Sequence, residues 1–202
     1  MNRTVGIYSS AVNLFGVLGF AVCMLAGPLA GSYLSSIFIA FGFVGMTAAF
    51  AAGAPESRKA AGYAALGFGV MYALCNSVVY YTQLTAVLPG KVPGPAADLL
   101  DFQRFGLIFN LDMLGYCLMA VATVFAGLSF APRNGAGRWL RGLLLAHGVF
   151  AASCFVMPML GVFTPDMPGG EWIGTLALEA WCLYFAPIAV LSILHFREPA
   201  QG

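Results

Sequence analysis

Two carboxylates, Asp112 and Glu179, lie inside long apolar stretches of the sequence. A charge at the centre of a bilayer costs about 2.5–3.5 kcal/mol on insertion scales, so such residues usually face a bundle interior or a cavity. No lysine or arginine lies at their level, since Arg104 is about two helical turns from Asp112. At least one acid is therefore expected to be protonated, and a neutral carboxyl can donate a hydrogen bond, act as a general acid or carry a proton.

Polar side chains on three predicted helices lie at the level of these acids. Asn76, Tyr80 and Gln83 are spaced i, i+4 and i+7, so they share one face of the third helix, and Asp112 and Tyr116 are four residues apart in the fourth. We predict a polar site in which the two acids are the catalytic pair. The side chains predicted to bind its ligand are Asn76, Tyr80, Gln83, Asn110, Tyr116 and Trp181.

Six apolar stretches must position these residues, and each is long enough to cross a bilayer, which takes about 20 helical residues. They run approximately over 5–27, 31–53, 60–88, 105–130, 140–162 and 173–195. The runs are continuously apolar, whereas the strands of a membrane barrel alternate. We therefore predict an all-α fold, a single domain over residues 1–202 with six transmembrane helices. A five-span arrangement, with the third stretch broken or lying in the interface, is the main alternative.

The composition excludes several classes of protein. Only 8% of the 202 residues are charged, against about 25% in an average soluble domain, and 60% are hydrophobic. A net charge of +1 provides no basic field for phosphates, which excludes nucleic acid as a partner. The expected partner is the lipid bilayer. No HExxH, GxGxxG, Walker or CxxC pattern occurs, so the sequence indicates no cofactor and no metal.

The basic residues predict the orientation. If the N-terminus is inside, the inner segments hold seven of the nine lysines and arginines, and the outer segments hold Lys91 and Arg104. The seven are Arg3, Arg58, Lys59, Arg133, Arg138, Arg141 and Arg197. This positive-inside bias predicts a multi-pass protein with both termini in the cytoplasm.

The longest connection, over residues 89–103, divides the chain into three spans and three spans. Because three is odd, the two halves must run in opposite directions, which allows an inverted 3+3 arrangement of the kind found in transporters. Gly16, Gly19, Gly42 and Gly45 predict close packing of the first two spans, because small residues let helix backbones approach. His147, inside the fifth span, is interpreted as a core histidine with hydrogen-bond partners.

Two stretches resemble a known group of proteins. They are residues 80–87 (YYTQLTAV) and 109–130 (FNLDMLGYCLMAVATVFAGLSF), together with Trp181 and Pro187 ahead of the FR at 196–197. Small multi-span bacterial membrane proteins of unknown function tend to show an aromatic-rich QL segment, an LDxLGY start to a span, and Trp and Pro in a last span that precedes FR.

That resemblance implies a protein of the bacterial cytoplasmic (inner) membrane and brings no activity with it. It places Gln83, Asp112 and Tyr116 among the positions that recur in the group.

Three functions fit these observations. In the first, the polar site binds, and protonates or converts, a small lipophilic molecule, since apolar walls with a few convergent polar groups are typical of such sites. In the second, the chain is a small proton-coupled transporter in which Asp112 and Glu179 carry protons. Such a transporter could act as a homo-oligomer. In the third, it is a non-catalytic assembly or sensor subunit whose polar groups hold helices together. Whether it is an enzyme stays open.

Overall fold

The computed structural model describes residues 1–164 and 170–198, and within those ranges the chain is all-helical. Its helices are α1 (Asn2–Ala26), α2 (Leu29–Gly53), α3 (Lys59–Thr82), α4 (Ala96–Leu100), α5 (Leu107–Ser129), α6 (Gly135–Ala146), α7 (Val149–Met159) and α8 (Gly170–Arg197). Six spans are long and apolar enough to cross a membrane, with α6 and α7 together forming the fifth. The predicted number of spans is therefore confirmed.

The third span is a single helical rod. α3 continues without interruption into a π-helical segment, Gln83–Val87, in which the amide of Leu88 donates to the carbonyl of Gln83 at 2.9 Å. The five-span alternative is therefore wrong. A π-turn inside a helix is uncommon and is often found at functional sites.

The fifth span differs from the continuous helix that its sequence predicts. At His147 and Gly148, between α6 and α7, the backbone stays right-handed helical but tightens, since the amides of Gly148 and Ala151 donate to carbonyls three residues back at 3.1 Å. At Gly148 the backbone approaches α5 so closely that an added Cβ would lie 2.4 Å from Cγ2 of Val124. A larger residue at position 148 would therefore force Val124 or the backbone to shift.

The start of α1 and the end of α8 lie at one end of the bundle, which we call the terminal side. There the Arg3 Nε donates to the carbonyl of Phe196 at 2.9 Å, and the Arg58 Nη1 donates to the carbonyl of Leu128 at 3.0 Å. The other end, which carries the long connection between α3 and α5, is called the loop side. These contacts attach α1 to α8, and the start of α3 to the end of α5.

α2 is the most enclosed span and packs against both α1 and α3. A Cβ added at Gly42 would lie 2.5 Å from the amide nitrogen of Asn13, and one at Gly16 would lie 2.8 Å from that of Ile39. The close packing of the first two spans through small residues is therefore confirmed. The same helix carries Phe43 into the centre of the core, where it is fully buried.

Candidate functional site

Asp112 lies where α5 crosses α3. The crossing is close because a Cβ added at Gly115 would lie 3.2 Å from Cβ of Cys75 and 3.8 Å from the amide nitrogen of Asn76. Asp112 is one turn from Gly115, and Tyr80 is one turn from Asn76, so the crossing brings the two side chains together. The Tyr80 hydroxyl donates to the Asp112 Oδ2 at 3.0 Å. Asp112 is only 3% exposed.

Several polar atoms around this bond have no partner. We call Tyr72, Asn76, Tyr80, Asp112 and Tyr116 the carboxyl cluster. In it the Tyr72 hydroxyl, both amide atoms of Asn76 and the Asp112 Oδ1 are buried without a hydrogen bond. Buried polar groups are hydrogen-bonded in about 90% of cases or more, and leaving one unsatisfied costs about 1–3 kcal/mol. The cluster therefore contains donors and acceptors that the neighbouring side chains leave unsatisfied.

Aromatic rings and α7 border the carboxyl cluster. The Tyr116 ring lies 6.0 Å from that of Tyr72 and 5.7 Å from that of Trp181, and its hydroxyl neighbours that of Tyr80. α7 packs against α5, and none of its residues is buried.

Glu179 is not joined to Asp112. Its Oε1 is buried without a hydrogen bond, and the side chain as a whole is half-buried on α8. Asp112 bonds to Tyr80 through one oxygen and has no hydrogen bond at the other. Within the described residues, therefore, no hydrogen bond connects the two acids, and the catalytic pair stays a prediction that no contact supports.

Gln83 fastens the connection on the loop side. Its Nε2 donates to the carbonyl of Leu100 at 2.7 Å, and the amide of Phe102 donates to its Oε1 at 3.1 Å. These bonds place the Phe102 ring 5.9 Å from that of Tyr80 and 6.3 Å from that of Tyr33. The amide that was predicted to bind a ligand is thus occupied by backbone, and the aromatic cover closes the cluster on the loop side.

Asn110 and Trp181 lie outside the carboxyl cluster. Asn110 is exposed on α5, on a different face from the buried Asp112. The Trp181 Nε1 donates to the His147 Nε2 at 3.1 Å, and its ring stacks on that of Phe185 at 5.0 Å. Of the predicted ligand-binding residues, the structure brings Asn76, Tyr80 and Tyr116 together with Asp112.

The contacts of His147 form a second polar group, which we call the histidine joint. Because the Trp181 Nε1 can only donate, the His147 Nε2 accepts, and a neutral ring carries its proton on Nδ1. That nitrogen lies 3.0 Å from the Thr123 Oγ1, which donates to the carbonyl of Ala120 at 2.7 Å. His147 is therefore a core histidine with both ring nitrogens bonded, as predicted. The roles of Thr123 and Trp181 were not foreseen, since nothing in their spacing indicates a shared partner.

The described residues contain no group of three or more His, Cys, Asp or Glu side chains placed to hold a metal ion. Fold and site together define a polytopic helical membrane protein with a buried polar cluster between its third and fourth spans. No family model, curated protein or solved structure matches the chain.

Proposed function

We propose that the carboxyl cluster binds the polar group of a small lipophilic molecule within the membrane. The observation that carries this proposal is the set of unpartnered atoms on Tyr72, Asn76 and Asp112, three side chains that are at most 3% exposed. Helix-to-helix hydrogen bonding alone would use these atoms, because buried polar groups are costly unless they are satisfied. A bound molecule would satisfy them.

The surroundings favour a lipophilic molecule that enters from the bilayer. Phe102 covers Tyr80 on the loop side. Towards the core, the Phe43 ring lies 5.4 Å from that of Tyr72. On the remaining side lie α7, which has no buried residue, and the half-buried Tyr116, so a molecule from the bilayer would enter the cluster there.

The donors and acceptors constrain the chemistry of the bound group. Asn76 offers a donor nitrogen and an acceptor oxygen on the same amide. Since Tyr80 donates to the Asp112 Oδ2, a neutral carboxyl would carry its proton on Oδ1, the oxygen without a partner. A hydroxyl, a carboxylic acid or another group that both donates and accepts would suit this arrangement. Transfer of the Oδ1 proton to a basic atom of the bound molecule would leave a carboxylate that the Tyr80 hydroxyl still stabilises.

Co-purification tests the proposal directly. The protein would be extracted in polymer nanodiscs, which keep surrounding lipid, and its small lipophilic molecules identified by mass spectrometry. We expect one compound to be retained by the wild type and by Ser36→Ala, and to be lost from Asn76→Leu. Ser36 is a fitting control because its buried hydroxyl already donates to the carbonyl of Ser32 at 3.1 Å. An unchanged set of compounds in a well-folded Asn76→Leu would contradict the proposal.

We also propose that the protein resides in the bacterial cytoplasmic membrane with both termini in the cytoplasm. Support comes from the seven basic residues in the segments of the terminal side, against two on the loop side. Green fluorescent protein fused to the C-terminus should then fluoresce, and alkaline phosphatase at the same position should be inactive. The reverse result would contradict this orientation.

Proton-coupled transport is the second candidate. It is favoured by a further set of buried, unpartnered oxygens on Ser10, Asn13 and Ser192 towards the terminal side. Uptake of protons into vesicles, followed with an internal pH-sensitive dye, would be abolished by Asp112→Asn if this function holds. Equal uptake by the variant and the wild type would remove the candidate.

A further inference from the structure

A second group of buried polar atoms lies between α1 and α8. Ser10 and Asn13 on α1 and Ser192 on α8 are each fully buried. The Ser10 Oγ, the Asn13 Oδ1 and the Ser192 Oγ have no hydrogen-bond partner. None of these residues belongs to the carboxyl cluster, which is built from α3 and α5.

Helix register places the two serines opposite each other. α1 starts and α8 ends on the terminal side, and the two helices pack together, so they run antiparallel. A Cβ added at Gly6 would lie 2.6 Å from the ring of Phe196, which fixes one point of contact. Ser10 is one turn beyond Gly6, and Ser192 is one turn before Phe196. Both serines therefore lie one turn deeper in the bundle, on the faces that meet.

The serine hydroxyls do not behave like others in the bundle. A serine or threonine inside a helix usually donates to a carbonyl three or four residues back. Ser36, Thr47 and Ser129 all do so, at 3.1, 3.0 and 2.7 Å. Ser10 and Ser192 are as deeply buried but do not make this bond. Their hydroxyls are therefore available to a partner outside their own helix.

Asn13 determines what that partner must offer. Its Nδ2 donates to the carbonyl of Ile39 at 2.9 Å, which fixes the amide and leaves Oδ1 as a pure acceptor. The partner must donate to Oδ1, and it must be small. On its other side Asn13 has no space, because a Cβ added at Gly42 of α2 would lie 2.5 Å from the amide nitrogen of Asn13.

We propose that Ser10, Asn13 and Ser192 form a buried water-binding site between α1 and α8. A buried water typically makes about three hydrogen bonds, and three unpartnered oxygens are available. The site contains no carboxylate, so water fits it better than a bare cation, which needs several oxygen ligands. This inference does not depend on the carboxyl cluster binding a lipophilic molecule.

The water site would be separated from the carboxyl cluster by an apolar layer. Phe43 follows Gly42 on α2, and its ring lies 5.4 Å from that of Tyr72 and 6.2 Å from that of Phe185. All three rings are buried in the central core. A proton moving between the two sites would therefore have to pass these rings.

A double-mutant cycle tests the site, with thermal unfolding in detergent as the measurement. Ser10→Ala, Ser192→Ala and the double variant would be compared with the wild type. If one water bridges both hydroxyls, each single variant lowers Tm, and the double variant lowers it by less than the two losses together, because the first change already frees the water. If the hydroxyls are dry, each single variant raises Tm, because an unsatisfied buried group has been removed, and this would overturn the proposal.

Ser36→Ala is the matched control, since Ser36 is buried on α2 and bonded within its own helix. Its effect on Tm should be additive with that of Ser192→Ala, and additive losses in the Ser10–Ser192 cycle would overturn the proposal. The occupant is checked by replacing sodium chloride with choline chloride. Water predicts the same Tm in both salts. A sodium-specific gain in Tm that the double variant loses would assign the site to the cation instead.

Discussion

The carboxyl cluster and the histidine joint are two buried polar groups in the same apolar bundle, and they are satisfied to different degrees. In the joint, Trp181, His147 and Thr123 are bonded one to the next, ending on a backbone carbonyl. In the cluster, the Tyr80–Asp112 bond is made while neighbouring atoms have no partner. A fully bonded buried network stabilises one arrangement of helices, whereas a partly bonded one is costly unless something else completes it.

The two groups are close enough for the comparison to be direct. The Tyr116 ring contacts both Trp181 of the joint and Tyr72 of the cluster. Tyr116 is therefore a neighbour of both groups. The two groups differ in their structural role. The joint lies at the tightened turn of the fifth span and attaches that span to α5 and α8. The cluster lies at a helix crossing that the small residue Gly115 already allows.

The largest effect is expected from His147→Ala. The change leaves the Trp181 indole and the Thr123 hydroxyl without their shared partner and opens a cavity where a fully buried ring stood. We expect a loss of about 3–5 kcal/mol in unfolding free energy, the range for truncating a large buried ring. Unfolding would be followed in mixed micelles as the fraction of denaturing detergent rises. Trp172→Ala, at an exposed position of α8, should change stability little. Similar losses of unfolding free energy in both variants would show that the histidine joint contributes no more to stability than an exposed residue.

Removing one hydroxyl from each group tests whether the two groups differ in stability. Thr123→Val removes the partner of the His147 ring and should cost about 1–3 kcal/mol. Tyr72→Phe removes a hydroxyl that has no partner, so in protein freed of bound lipophilic molecules it should be neutral or stabilising. The same unfolding assay measures both. A destabilising Tyr72→Phe would mean that the cluster holds helices together, which is the assembly or sensor interpretation.

Gln83→Leu tests the cover over the cluster. The substitution removes two hydrogen bonds to the backbone at Leu100 and Phe102, each worth about 0.5–1.5 kcal/mol net. We expect the connection over residues 88–106 to be cut faster by a protease added on the loop side, with a smaller loss in global stability than for His147→Ala. Thr85→Val, which removes an exposed bond within its own helix, is the control. Equal cleavage of the two variants would show that Gln83 does not hold the cover.

The smallest effect is expected from Arg104→Gln on the loop side. Arg104 pairs with Asp98 at 2.5 Å, but the two side chains are 54% and 65% exposed. Exposed ion pairs contribute about 0–1 kcal/mol and weaken with salt. Unfolding at low and high ionic strength measures this contribution. The result is the smallest loss of unfolding free energy against which the losses at the histidine joint are compared. A loss as large as that of Thr123→Val would contradict the interpretation of Arg104 as a solvated surface pair.

Much of the architecture could be predicted from the chain alone. Continuous apolar runs determine six spans, because each stretch of about 20 residues must satisfy its own backbone in lipid. The i, i+4 spacing of Asn76 and Tyr80, and of Asp112 and Tyr116, predicts shared faces, which the cluster confirms. The tightened turn at His147 and Gly148, where the backbone lies close to Val124 of α5, was not predicted.

The partners of individual polar groups depended on the packing of the spans. Glu179 and Asp112 have similar sequence settings, and so do Gln83 and Asn76, yet Gln83 bonds to a loop and Asn76 bonds to nothing. Helical periodicity shows on which face of its own helix a side chain lies. It does not show how the neighbouring helix is rotated about its axis, and therefore which of its side chains are met. The number, length and polar faces of the spans therefore follow from the order of the residues. Which polar atoms are satisfied follows from the packing, because it depends on where the helices cross.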